Sequence, residues 1–130
     1  MEFFEDGDDI VSHWHPRAEF QGWRNTLHGG IQATLVDEIA SWVVFRKFQT
    51  SGVTSRLEMR YKKPVSTNDC HITLRARVVK QMRNVVDIEV ELFNSAGELC
   101  STGVCVYFMA PKSRAHEEFG FRECLAENEV

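Results

Sequence analysis

The sequence predicts an α+β fold in which a curved antiparallel β-sheet wraps around one long central helix. Apolar residues between positions 31 and 48 recur at helical spacing, whereas those from position 53 onward alternate with polar residues at the period of two typical of strands. Turn-forming sequences such as Asn94–Gly97 separate these runs, so neighbouring strands are expected to pair antiparallel. A sheet around a single helix leaves open edges and spare apolar surface, which predicts at least a dimer.

The first 27 residues are predicted to form a hairpin and a connector. Two apolar runs, Met1–Phe4 and Ile10–Trp14, flank the turn sequence Asp6-Gly7-Asp8, which is typical of a β-hairpin. The connector that follows contains the segment Phe20–Trp23, where a glycine supplies a bend.

The central helix is predicted over residues 28–51. Its apolar residues form two adjacent helical rows, and aromatic residues add apolar surface on further sides. We therefore expect the helix to be enclosed on most of its circumference. Arg46 and Lys47 place positive charge where it suits a helix C-terminus, and Gly52 is the expected stop.

Antiparallel strands are predicted over residues 53–110, and residues 111–130 are expected to be a tail or a short helix. In the first strand, alternation assigns one face to Val53, Ser55, Leu57, Met59 and Tyr61. Further alternating runs cover residues 71–82, 86–93 and 99–110. The whole chain, residues 1–130, is predicted to be one domain.

Composition and charge argue against several classes of function. With 15 Lys and Arg against 19 Asp and Glu, the chain has a net charge of −4, which argues against a nucleic-acid partner. No apolar run approaches the ~20 residues that span a bilayer, and no N-terminal export signal is found, so neither a membrane partner nor secretion is expected. The four cysteines lack a Cys-x-x-Cys pair, which favours reduced thiols in the cytoplasm. The scattered histidines predict no metal site.

Residues 28–38 contain the candidate catalytic groups. Gly29 and Gly30 open the helix, where unpaired backbone N–H groups and a partial positive charge can receive an oxyanion. Asp37 lies nearly two turns further along on roughly the face of Gly30, so one segment offers an electrophile-polarising group and a base or nucleophile. An unpaired charge among apolar residues would cost several kcal/mol, which makes Asp37 the candidate catalytic group. Glu38 points some 100° away. An interface or capping salt bridge is its simpler role, and substrate binding is the functional alternative.

The motif His28–Gly30, followed by Thr34–Glu38 and preceded by Phe20–Trp23, resembles the signature of small hotdog-fold acyl-CoA thioesterases of the phenylacetate-pathway type. The resemblance extends from about residue 10 to residue 110. It implies a hotdog fold and hydrolysis of an acyl-CoA thioester to a free acid and coenzyme A. It also implies a homodimer or homotetramer with the site at the dimer interface, so that Gly29 and Asp37 would come from different subunits, an alternative to their acting together within one chain. No cofactor is implied beyond the coenzyme A of the substrate.

The resemblance also implies roles for single residues. The Gly29 N–H would bind the thioester oxygen, and Asp37 would act as nucleophile or as general base on water. Thr54 matches a Ser or Thr that positions water or substrate, and His28 would orient the loop beside the thioester. Relatives carry a water-positioning amide a few residues before the histidine, for which Asn25 and Gln21 are the approximate matches.

Alternatives remain open at this level. Arg56 belongs to a set of alternating basic residues that would suit the phosphates of coenzyme A, although a solvated strand face is the favoured explanation for any single one of them. The set comprises Arg56, Arg60, Lys62, Lys63, Arg75, Arg77, Lys80 and Arg83. The same pocket would also serve a non-catalytic acyl-CoA binding or sensing protein. Dehydratase chemistry would need a helix histidine beyond Asp37, and the sequence has none there.

Overall fold

A computed structural model of the chain describes residues 1–111 and 123–125. One long helix packs against a six-stranded sheet in which each pair of neighbours is antiparallel, so the predicted fold class is confirmed. In chain order the elements are β1 Glu2–Asp6, β2 Asp9–Trp14, a 3-10 helix Ala18–Phe20, α1 Gly29–Phe48, β3 Gly52–Tyr61, β4 Ile72–Met82, β5 Val85–Phe93 and β6 Leu99–Met109. The strand order is β1-β2-β4-β5-β6-β3. Most of the predicted tail, residues 112–122 and 126–130, lies outside the described residues.

The N-terminal hairpin extends the main sheet. Strands β1 and β2 pair around Gly7, whose φ of 62° requires the conformational freedom of glycine, and β2 then pairs with β4. Arg75 and Arg77 on β4 both bind the carboxylate of Asp9 at the start of β2. Burial favours the neutral acid, but these hydrogen bonds outweigh it and hold the pKa of Asp9 below its usual value.

The core lies between α1 and the concave face of the sheet. The buried apolar residues of the helix are Leu35, Val36, Ile39, Ala40, Val43 and Val44. One buried polar pair fixes the helix along the sheet, because the Ser101 hydroxyl on β6 donates to Gln32 Oε1 at 2.8 Å. The opposite side of the helix is less covered than expected, and Thr34, Glu38 and Lys47 are exposed. The predicted enclosure is therefore wrong for a single chain, since the sheet covers the helix from one side.

The helix ends at Phe48, before the predicted limit of residue 51. Gln49, rather than Gly52, takes the left-handed conformation at the C-terminus, with φ 52° and ψ 45°. Gly52 instead begins β3, where a Cβ atom would lie 1.8 Å from the carbonyl oxygen of Phe108. The glycine is therefore needed for close approach of two backbones and not for stopping the helix.

A β-bulge in β3 changes the predicted faces of the strand. Thr54 pairs with Tyr107 and Arg56 with Val106, so Ser55 is the extra residue. The bulge places Thr54 on the face that looks toward α1, together with Leu57 and Met59 further along. The predicted assignment of Val53 and Ser55 to that face is wrong, because strict alternation does not continue through a bulge.

The close approach of Gly52 to the β6 backbone predicts that a methyl group at this position destabilises the fold. We expect Gly52→Ala to lower the free energy of unfolding by about 3 kcal/mol, because the β6 backbone must move away. Gly7→Ala is the control, since nothing lies within 4 Å of its Cβ position and only the positive φ costs about 1–2 kcal/mol. Urea denaturation compares the two, and equal losses would contradict the proposed close approach.

Candidate active site

Asp37 is held by two side chains from the sheet. The hydroxyl of Thr54 on β3 donates to Asp37 Oδ1 at 2.6 Å, and the Cys105 thiol on β6 lies 3.8 Å from the same oxygen. No donor to Oδ2 is found in the part of the chain that the structure describes. Asp37 is half-buried, so one carboxylate oxygen is fixed while the other can meet a ligand.

Cys105 is the site residue that the sequence analysis missed. It is buried, and its sulfur also lies 3.9 Å from the Thr54 hydroxyl oxygen. Burial raises the pKa of the thiol to about 11, and the neighbouring Asp37 carboxylate acts in the same direction, against the opposing hydrogen bond with Thr54. The group is therefore a neutral thiol that donates weakly to the carboxylate. Alternation along β6 indicates its inward direction, but only the register with β3 shows which residue it meets.

At the N-terminus of α1, a single backbone N–H remains available. His28 caps the helix, and its Nδ1 accepts a hydrogen bond from the Gly30 N–H at 2.8 Å. Gly29 N–H has no acceptor among the described residues. The Tyr61 hydroxyl donates to the Gly29 carbonyl at 2.7 Å, and its oxygen would lie 3.2 Å from a Cβ at this position. Gly29 thus keeps an amide without an acceptor among the described residues, at a position where a Cβ would press against the Tyr61 side chain.

A cavity of ≈740 Å³ adjoins this end of the helix. Its lining combines the helix N-terminus, the connector loop and the end of β3, with lysines and an exposed tryptophan at the rim. The lining residues are Gly22, Trp23, Thr26, Leu27, His28, Gly29, Gln32, Tyr61, Lys62, Lys63 and Pro64. Asp37 and Thr54 are absent from this lining.

The two halves of the predicted site lie apart within one chain. Gly29 and Asp37 are eight residues apart on α1, which corresponds to about 12 Å along the axis. A hydrogen bond spans about 3 Å, so one carbonyl group cannot contact both. The expectation that this one segment supplies both groups to the same substrate is therefore wrong for a single chain, although Asp37 and Thr54 do meet.

The remaining predicted residues lie elsewhere. Glu38 is exposed and its Oε1 accepts from the Trp42 indole at 3.3 Å, while Arg56 is on the face of β3 opposite to Thr54. Asn25 has a φ of 59° in the connector and does not line the cavity. The predicted basic set is not a free patch, because several members are already in ion pairs. Arg75 binds Asp6 and Asp9, Arg77 binds Asp9, Glu89 and Glu91, Lys63 binds Glu98 and Arg60 binds Glu58.

Two further properties concern the described residues as a whole. Within residues 1–111 and 123–125, no group of three or more His, Cys, Asp or Glu side chains is placed to hold a metal ion. No helix in the same ranges is long and apolar enough to cross a membrane.

One long helix packed against a six-stranded antiparallel sheet is the architecture of the hotdog class of proteins. Residues 24–101 match the Thioesterase superfamily, and the chain belongs to that family.

Solved structures agree on the fold. Zebrafish thioesterase superfamily member 2 is 26% identical, with a TM-score of 0.75 over 84% of this chain and 80% of that one. A hypothetical thioesterase from Streptococcus pneumoniae TIGR4 with coenzyme A is 21% identical, with a TM-score of 0.78 over 95% and 88%. The protein smu.793 from Streptococcus mutans, bound to acetyl CoA, is 17% identical, with a TM-score of 0.74 over 84% and 87%.

A curated relative matches over a shorter segment. An uncharacterized protein from Schizosaccharomyces pombe is 36% identical over 59 residues, which are 45% of this chain. The match spans about a third of that relative's length, 34%.

The raised pKa of Cys105 predicts slow alkylation of this residue. Three units below a pKa of about 11, on the order of one thiol in a thousand is ionised, so iodoacetamide at pH 8 should label exposed Cys70 long before Cys105. Peptide mass spectrometry over time measures both rates, and the unfolded protein in guanidinium serves as the control in which both should react alike. Comparable labelling of the two thiols in the folded protein would contradict the burial of Cys105.

Proposed function

We propose that this chain is an acyl-CoA thioesterase that hydrolyses the thioester to a free acid and coenzyme A. The observation that carries the proposal is the contact between Asp37 and Thr54, beside which the second carboxylate oxygen has no donor among the described residues. A half-buried carboxylate with one fixed oxygen is suited to attack a carbonyl carbon or to take a proton from water. The similarity of residues 20–38 to the phenylacetate-pathway type supports the same reaction.

The second half of the site is proposed to come from another copy of the chain. Strand β3 contacts Asp37 through Thr54 near its beginning and Gly29 through Tyr61 at its end. β3 is an edge strand whose other side pairs with no described strand. Antiparallel pairing of two β3 strands about a two-fold axis would bring the Tyr61 end of one copy beside the Thr54 end of its partner. Two equivalent sites would then form per dimer, and a tetramer would contain two such dimers.

The proposed chemistry divides between the two halves. The thioester oxygen accepts a hydrogen bond from the Gly29 N–H at the positive end of α1, which stabilises the oxyanion as the carbonyl carbon becomes tetrahedral. Asp37 of the partner subunit takes a proton from the attacking water, or attacks directly and forms an anhydride that water then opens. The C–S bond breaks, and coenzyme A leaves as the thiol after protonation.

The proposal also covers cofactors and cellular location. The reaction as proposed needs no metal or redox group, and coenzyme A enters only as part of the substrate. No disulfide joins Cys70, Cys100 or Cys105, which supports the cytoplasmic location expected from the sequence.

Replacement of the carboxylate tests the chemical step. We expect Asp37→Asn to lower kcat for acyl-CoA hydrolysis by about 10²–10⁴-fold, because the amide can neither attack nor accept the proton. Glu38→Gln, one residue along the helix, is the matched control and should keep wild-type turnover. Release of coenzyme A is followed by chromatography, since a thiol reagent would also react with the exposed cysteine. Full turnover by folded Asp37→Asn protein would refute the proposal, and acyl-CoA binding without turnover by the wild type would favour the binding or sensing function.

Subunit complementation tests the shared site. Gly29→Pro removes the amide hydrogen at the first helical position, where the backbone tolerates proline, and Asp37→Asn removes the carboxylate. Because the new Cβ also displaces the Tyr61 side chain, Gly29→Ala, which adds a Cβ and keeps the amide, is the matched control. In a 1:1 mixture that exchanges subunits freely, half of the dimers are mixed and each has one intact site, so about a quarter of wild-type activity should return. Each variant alone is the control and should be inactive. If the mixture stays inactive while mass spectrometry shows mixed dimers, the site is not shared in this way.

A further inference from the structure

Trp23 is an exposed tryptophan on a hydrogen-bonded loop. It is 85% exposed, the largest exposure among the large apolar side chains that the structure describes. The loop around it is closed by hydrogen bonds from the Gly22 N–H to the Thr26 carbonyl, 2.8 Å, and from the Thr26 N–H to the Trp23 carbonyl, 2.9 Å. The Leu27 N–H then donates to the carbonyl of Val65, in the segment between β3 and β4, also at 2.8 Å. An aromatic ring on such a backbone can bind a planar ligand with little loss of loop entropy.

The ring lines the same cavity as Gly29, and two lysines join it there. Lys63 is engaged by Glu98. Lys62 is exposed, and its ammonium group has no carboxylate partner among the described residues. Lys62 also borders a neighbouring depression lined by Glu58, Glu89 and Glu91, without an ion pair to any of them. On a chain of net charge −4, a lysine and an exposed indole that line one cavity favour an anionic ligand with an aromatic part.

We propose that Trp23 and Lys62 bind the adenine nucleotide portion of coenzyme A, so that the chain prefers free acyl-CoA to thioesters without a nucleotide. The inference rests on the proposed function, because it takes the Gly29 amide as the position of the thioester oxygen. The cavity, ≈740 Å³, lies within the range of 300–1,000 Å³ that is common for ligand sites.

Trp23 and Lys62 are proposed to recognise different parts of the nucleotide. Base–aromatic stacking tolerates any base because every base has a π-face, and it would give Trp23 affinity for adenine. An ammonium group attracts phosphate without strict geometry, which suits Lys62 to the phosphates of the nucleotide. A carrier-protein thioester also has a phosphate on its pantetheine arm but has no adenine. The tryptophan is therefore expected to determine the choice between the two substrate classes.

A series of thioesters with one acyl group tests the proposal. For Trp23→Ala we expect KM to rise about tenfold with acyl-CoA, equal to about 1.4 kcal/mol, and less than twofold with acyl-pantetheine or acyl-N-acetylcysteamine. Lys62→Gln should raise KM for acyl-CoA by several-fold. Lys47→Gln is the matched control, since this exposed lysine lies near the other end of the helix, about 27 Å along its axis from Gly29. Equal changes in KM for all three thioesters, or none, would overturn the proposal.

A binding measurement separates this inference from the proposed function. Adenosine 3′,5′-bisphosphate should inhibit hydrolysis competitively and bind the wild type by calorimetry, with about tenfold weaker binding to Trp23→Ala. If the protein hydrolyses no thioester, the calorimetric comparison still decides whether Trp23 binds the nucleotide. If Trp23→Ala changes the oligomeric state in sedimentation and leaves bisphosphate binding intact, the indole is a subunit contact and the inference is wrong.

Discussion

The β-bulge at Ser55 is the constraint on which the candidate site depends. Without the extra residue, alternation from Leu57 would place Ser55 and Val53 toward α1 and would place Thr54 on the outer face. The bulge reverses this order and brings a hydroxyl to 2.6 Å from the Asp37 carboxylate. Bulges are frequent beside active sites because they can redirect one side chain without changing the rest of the strand.

The same contact explains how an apolar helix can carry an acidic residue at its middle. A carboxylate that loses water without gaining donors is costly, and hydrogen bonds from Thr54 and Cys105 offset that loss at one oxygen. The thiol is a suitable second donor, because burial keeps its pKa at about 11 and prevents a second negative charge beside Asp37. The Asp37 carboxylate is thus electrostatically asymmetric. Both donors contact Oδ1, and no described residue donates a hydrogen bond to Oδ2.

The fold could be predicted from the sequence to the extent that it depends on local periodicity. Helical spacing and alternation identify one helix and antiparallel strands, and Asp37 stands out by its polarity within that helix. The partnership of Cys105 with Asp37 could not be predicted, because it depends on register between strands distant in sequence. The prediction that Gly52 stops the helix is wrong for a similar reason, since its close approach to Phe108 involves a strand far along the chain. Gln49 ends the helix in a conformation that more often belongs to glycine or asparagine.

The length of the helix provides the strongest argument for a proposed site between two chains. Its N-terminus can polarise a carbonyl only within hydrogen-bond distance, whereas Asp37 is about 12 Å further along the same rigid rod. No local adjustment closes that gap, because the buried face of the helix is fixed to the sheet and Gln32 is bonded to Ser101. A second copy in antiparallel orientation would bring the missing group without deforming either chain. Under this proposal, catalysis requires assembly, and dilution below the dimer dissociation constant removes activity while each chain stays folded.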